Sequence, residues 1–339
     1  MNTLRWMPAL ILFTWLGGAT AATAQEAAAR TVTIGVLPFK ALNPNADTDW
    51  IGPASAETLT SKLGVVQELV VVERAQMVEL LGEQDFQKLD VTDPATARQT
   101  GRVIGAERLV VGSFTCAGED VQFNARVIDV ATSEILQTAN VTAKLKHIFD
   151  GINELADAVI ESFQKKVVIV DARPTVVEAP PAERIVVTEE RRTEVHREAQ
   201  TTPEAYQAYG RGLVAPSYEE QLSFFNLAIK SDSSFFYANL AMGDTYSRQG
   251  QFELAIGEYD RVIAKNPRCS HAFYGKGKAY EGLKRPKLAA AAYRTFVKLA
   301  PSKTSKVVDK IKKKLRDSGE DRDEDDRPKR RIFRRNDKP

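Results

Sequence analysis

Apolar positions in the first half of the chain switch between a spacing of two and a spacing of three to four, and each switch marks an element. Thr31–Phe39 (TVTIGVLPF) is a β-rich run broken by Pro38 and then by Asn43-Pro44. Ala54–Leu63 puts Ala56, Leu59 and Leu63 on one helical face. Leu69–Val72 is continuously apolar, as expected of a strand covered on both sides. Gln76–Glu83 is helical and carries Met77, Leu80 and Leu81. Asp93 as N-cap and Pro94 at the first helical position start a helix that runs to about Ile104, with Gly105 at its end. Leu109–Phe114 is the next strand, and Gly118-Glu119-Asp120 turns the chain. Val121, Phe123, Ala125 and Val127 then alternate with Gln122, Asn124 and Arg126, the signature of a half-buried strand. Ala131–Glu134 turns again, into a strand from Ile135 to about Ala143 that completes an antiparallel meander. Ile148–Phe163 closes the unit as an amphipathic helix with Ile152, Leu155, Val159, Ile160 and Phe163 inward. The order βαβααβββα predicts a small α/β domain with a mixed sheet over residues 25–166.

Residues 167–202 lose this pattern. Pro174, Pro180 and Pro181 precede the run Glu189-Glu190-Arg191-Arg192, and the stretch reads as a semi-extended linker. Two β-rich patches inside it, Val167–Val170 and Ile185–Val187, leave open whether they add edge strands. A different period follows. Gly243, Tyr246, Ala255, Tyr259 and Pro267 recur 34 residues later as Gly277, Tyr280, Ala289, Tyr293 and Pro301. This resembles the tetratricopeptide pattern, in which small residues let the two helices of a hairpin approach, aromatics fill the gaps and proline ends the second helix. Asn239 and Lys276 depart from its usual aromatic and leucine. Ala205–Leu213 and Tyr218–Ile229 form a degenerate first repeat, so the array spans residues 203–301. Residues 302–318 supply a capping helix with Val307, Val308, Ile311 and Leu315 on one face. The fold class is thus a two-domain α+β/α-helical chain, the α/β domain being followed by a tetratricopeptide-like array of α-hairpins.

The α/β domain resembles a family as well. Val36-Leu37-Pro38-Phe39, LVVVERAQMVELL (Leu69–Leu81), IGAERLVVGSF (Ile104–Phe114) and ARVIDVATSEI (Ala125–Ile135) are similar to the fold shared by the curli secretion channel subunit CsgG, the flagellar protein FlgO and the TolB amino-terminal domain. The resemblance implies a bacterial envelope setting. The chain departs from the curli channel in lacking a lipoprotein cysteine near its start and an inserted hairpin long enough to span a membrane.

Composition changes the picture at three points. Arg5, the apolar run Met7–Gly18 and Ala22-Thr23-Ala24 before Gln25 read as a cleavable secretory leader over residues 1–24, which predicts an exported, periplasmic or outer-membrane-associated protein, soluble after cleavage and without a lipid anchor. A formal charge of +2 over 339 residues gives no general affinity for polyanions, and export removes the chain from nucleic acid, so no nucleic-acid partner is expected. The tail 319–339 is divided by sign and reads as disordered, with Arg330, Arg331, Phe333, Arg334 and Arg335 candidates for contact with an anionic membrane surface.

Chemistry is sparse. No phosphate loop, H-E-x-x-H or G-x-S-x-G motif is present, and Asp129 reads as a turn residue. Cys116, Cys269, His147, His196 and His271 are too scattered for a zinc site, so no enzyme, metal or cofactor is expected. Resemblance to tetratricopeptide arrays implies a concave peptide-binding face bearing Tyr237, Leu240, Asp244, Ser247 and Arg248, then His271, Tyr274, Lys278 and Glu281. The expected function is a non-catalytic envelope scaffold or adaptor with protein or peptide partners. The alternatives are a ring-forming secretion component, homo-oligomeric through the α/β domain, and a hydrolase without a recognisable motif.

Overall fold

The computed structural model describes residues 31–82, 94–170, 173–178, 185, 187–300 and 306–318. The leader and the candidate membrane-contacting residues Arg330, Arg331, Phe333, Arg334 and Arg335 lie outside them.

Strands β1 (Val32–Val36), β2 (Lys40–Ala41), β3 (Leu69–Val72), β4 (Arg108–Ala117), β5 (Asp120–Asp129) and β6 (Ile135–Lys144) form one mixed sheet. Its order is β3-β1-β4-β5-β6, with the short β2 beside β4. β1 runs parallel to β3 and β4, and β4–β5–β6 is the expected antiparallel meander. Asp129 acts as a turn residue: its carboxylate accepts the N–H groups of Ala131 at 2.8 Å and Thr132 at 2.9 Å and pairs with Arg108. Helices α1 (Ile51–Leu63) and α4 (Ile148–Glu161) cover one face of the sheet. On the other, α2 (Arg74–Leu81) and α3 (Pro94–Ile104) close a smaller core around Leu37, Met77 and Leu109.

Residues 167–202 are not the semi-extended linker that their prolines and charges predict. β7 (Lys165–Val170) and β8 (Arg173–Glu178) pair as a separate antiparallel hairpin. Ile185 and Val187 are buried, and α5 (Glu189–Arg197) packs on α1 and α4. The physical reason is local. Thr188 caps α5 by accepting the N–H of Arg191, Glu189 and Glu190 stand in the first turn, and His196 and Arg197 end it, all favourable to the helix dipole. One apolar side chain, Val195, docks the helix and is fully buried.

The hairpins follow as α6 (Pro203–Val214) with α7 (Tyr218–Ser231), α8 (Phe236–Arg248) with α9 (Phe252–Lys265), and α10 (Ser270–Gly282) with α11 (Pro286–Leu299), and α12 (Lys306–Asp317) caps them. Val307, Val308, Ile311 and Leu315 of α12 are buried as their spacing predicts. Three glycines, Gly212, Gly243 and Gly277, face the rings of Phe225, Tyr259 and Tyr293 in the second helix of their own hairpins. The Gly212–Phe225 pair shows that the degenerate first repeat keeps the packing of the others. A Cβ at Gly277 would lie 2.4 Å from Tyr293 Cε1. Gly277→Ala is therefore expected to lower stability by about 1–3 kcal/mol in urea unfolding, as overpacking does. An unchanged midpoint would mean that the ring can step aside.

The repeats do not hang free. A single apolar core runs from the sheet through α1 and α4 into Tyr206, Tyr209, Phe225 and Phe235 of the first hairpin. For this reason α1 buries not only its apolar stripe but also Ser55, Thr58, Thr60 and Lys62. Its second face is the seat of α6.

Candidate functional site

The first helices of the second and third hairpins, α8 and α10, present their inner faces to β3 and α2 of the α/β domain. Between them lies a cavity of about 1030 Å³. Of the residues expected on the concave face, Tyr237, Leu240, Asp244, Ser247, Arg248, His271, Tyr274 and Lys278 line it. Glu281 is not among its walls; it accepts a hydrogen bond from Tyr293 at 2.9 Å and pairs with Lys314. The open groove inferred from the repeats alone is corrected in this respect: the facing wall belongs to the same chain and includes Leu37, Pro53, Glu57, Glu73, Arg74 and Val78.

That wall engages much of the expected face. Leu240 and Tyr274 are buried. The His271 imidazole stands between two carboxylates, with Nδ1 3.2 Å from Glu73 and Nε2 3.2 Å from Asp244. Glu73 also accepts from Ser270 at 3.2 Å, and Asp244 from the Tyr259 hydroxyl at 2.7 Å. Arg74 lies 3.8 Å from Glu57. Tyr237 donates its hydroxyl to Glu198, just beyond α5. Arg248 donates to Gln221 at 2.9 Å and lies over the Tyr218 ring, whereas Lys278 stands 3.6 Å from Glu79 of α2. Nothing in the local sequence pairs Glu73 or Glu79 with residues about 200 positions away. The only signal was charge placed just after an apolar strand.

Burial alone would discharge this cluster, and charge pairing decides otherwise. Burial disfavours the His271 proton, yet the charges of Asp244 and Glu73 outweigh it and push the pKa up to about 9. Burial works to raise Asp244, but His271, Tyr259 and Arg248 hold it below the usual carboxylate value. Burial raises Glu57 and Glu73, with Arg74 the leading opposing charge at Glu57 and His271 at Glu73. Cys269, also in the cavity wall, has its thiol pushed up to about 12 by burial, so it stays protonated at neutral pH and is a poor nucleophile.

The His271 shift has a direction that can be measured. A folded-state pKa above the free value of 6.5 stabilises the fold fully below that value, and the gain disappears as pH rises through about 9. Between pH 6 and 10, wild type is expected to lose stability relative to His271→Gln. The difference isolates His271 from Lys62 and the other titrating groups that both proteins share. Parallel curves would show that the imidazole carries no proton in the ion pairs.

Residues 18–120 match the family described as Curli production assembly/transport component CsgG, and residues 240–304 match the Tetratricopeptide repeat family. No curated protein matches the chain. Among solved structures, the tetratricopeptide domain of Arabidopsis OM64 is 22% identical, with 33% of this chain and 94% of that one covered at a TM-score of 0.31. The carboxy-terminal domain of LpoB from Salmonella enterica is 15% identical, with 35% of this chain and 87% of that one covered at a TM-score of 0.27. Among the described residues no helix is long and apolar enough to cross a membrane. The chain therefore joins a region similar to the CsgG family to a region similar to tetratricopeptide repeats.

Proposed function

We propose that this protein is a non-catalytic adaptor or scaffold of the bacterial envelope that holds a protein or peptide partner between its repeats and its α/β domain. The cavity of about 1030 Å³ carries this reading, because eight residues of the repeats' inner face line it. It combines aromatic and apolar surface with charged groups at fixed positions, as protein-binding clefts do. Similarity to the two families, neither of them catalytic, supports binding over turnover, and similarity to CsgG supports an envelope role.

Photo-cross-linking tests it. A cross-linking residue at Ser247 in the cavity is expected to yield a discrete adduct in cells. One at exposed Leu254 or Leu288, in the second helices of the hairpins, is not. Equal labelling at both kinds of position would remove the cavity as the binding site.

A further inference from the structure

The inner face of the repeats already holds a ligand, and the ligand is α2. Glu73, the residue that starts this helix, pairs with His271 and accepts from Ser270. Glu79, near its end, takes Lys310 at 2.6 Å and Lys278 at 3.6 Å. Leu80, beside it, packs against the core of the last hairpin, which contains Tyr274 and Tyr293. These are two carboxylates six positions apart and a following leucine, met by cations on α10 and α12 and by an aromatic floor.

We propose that the partner of this face is an acidic amphipathic segment of the kind α2 presents, and that the partner and α2 exclude one another. The proposal rests on the function above and names its partner's chemistry. Charge complementarity sets the sign. The acids at the cavity are already paired within the chain, Glu57 with Arg74, Glu73 and Asp244 with His271, and Glu198 with Tyr237. Cations remain exposed along the same side, at Arg248, Arg268 and Lys278 in the cavity wall and at Lys310 beyond it. The clasp is also of a strength that competition can overcome. Lys278 and Lys310 are half exposed or more, and such pairs contribute little in water. One oxygen of Glu79 is buried without a hydrogen-bond partner. The helix itself has only 8 residues and no side-chain N-cap. A competitor meets the face only when α2 is off it, so its apparent affinity is reduced by that open fraction.

The test uses the full-length protein and a fluorescently labelled peptide of residues 73–81. Glu79→Gln, which removes one charge of the clasp, is expected to bind the peptide about tenfold more tightly than wild type. Lys278→Glu with Lys310→Glu is expected to lose it. Circular dichroism checks that each variant keeps its helix content. Equal peptide affinity in wild type and Glu79→Gln, or undiminished binding to the charge-reversed protein, overturns the proposal. Hydrogen exchange on wild type gives a reading that needs no variant. Saturating peptide is expected to speed exchange of the α2 amides, and unchanged exchange counts against mutual exclusion. If the peptide is ignored while cross-linking at Ser247 persists, this inference fails and the adaptor reading stands. If both are silent, the adaptor reading fails with it.

Discussion

Trp50→Ala is expected to destabilise the whole chain by about 3–5 kcal/mol and to make its two halves unfold apart, as loss of a large buried ring at a seam should. Trp50 is 2% exposed, and its ring meets Tyr206 of α6 edge-on at 5.7 Å. Tyr206 in turn accepts a hydrogen bond from Thr58 of α1 at 3.1 Å and lies 4.7 Å from the Phe149 ring of α4. Opposite Trp50, α6 has Gly210, where a Cβ would lie 2.2 Å from the indole. The indole thus fills the space in which a side chain on the first hairpin would stand. The other two tryptophans, Trp6 and Trp15, belong to the expected leader, so after cleavage Trp50 fluorescence reports this seam alone. In wild type its urea transition should coincide with that of the helical circular dichroism signal. In Trp50→Ala, the dichroism transition should come earlier and broaden or divide. A midpoint shift worth under about 1 kcal/mol would show that the repeats are held to the α/β domain by something other than this contact.

Lys62→Met carries the second large effect, about 3 kcal/mol, because it leaves buried acceptors without a donor. Lys62 has no exposed surface. Its ammonium donates to the carbonyls of Val195 at 3.1 Å, His196 at 2.9 Å and Glu198 at 2.7 Å, where α5 ends. Three acceptors satisfy all three of its donors, and the cation meets the negative end of the helix dipole. Burial still lowers its pKa, to about 8, against the pull of Glu198. The sign follows. A lysine whose folded pKa lies below the free value favours the neutral form in the fold, so its charge is a cost that fades as pH rises from about 8 towards 10.5. Relative to Lys62→Met, wild type should gain stability over that window, in the opposite sense to His271. Urea titrations of both proteins at pH 7 and pH 10 measure it. A Lys62→Met protein as stable as wild type at pH 7 would mean that the end of α5 finds other donors.

His271, Asp244 and Lys278 were legible as one face of the repeats because a period of 34 residues fixes which helical positions share a side. The sheet was legible for a similar reason. Val121, Phe123, Ala125 and Val127 alternate with polar residues, and a register with period two admits one buried face. The first repeat was harder, since Gly212 and Phe225 keep the packing pair of their hairpin without the surrounding consensus. Helix α5 was missed because prolines and a charged run dominated its surroundings. Its one apolar anchor, Val195, gives no amphipathic stripe to read.

The sequence by itself determined the elements, the order of the two regions and the candidate inner face, since each follows from local periodicity and capping. Only the tertiary structure decided what that face meets. Trp50 with Tyr206, Lys62 with the end of α5, and Glu73 with His271 join positions some 130 to 200 residues apart. No local pattern encodes such pairs. They form because α1 has a second face to bury, and seating α6 on it brings α2 of the α/β domain against the repeats' inner side.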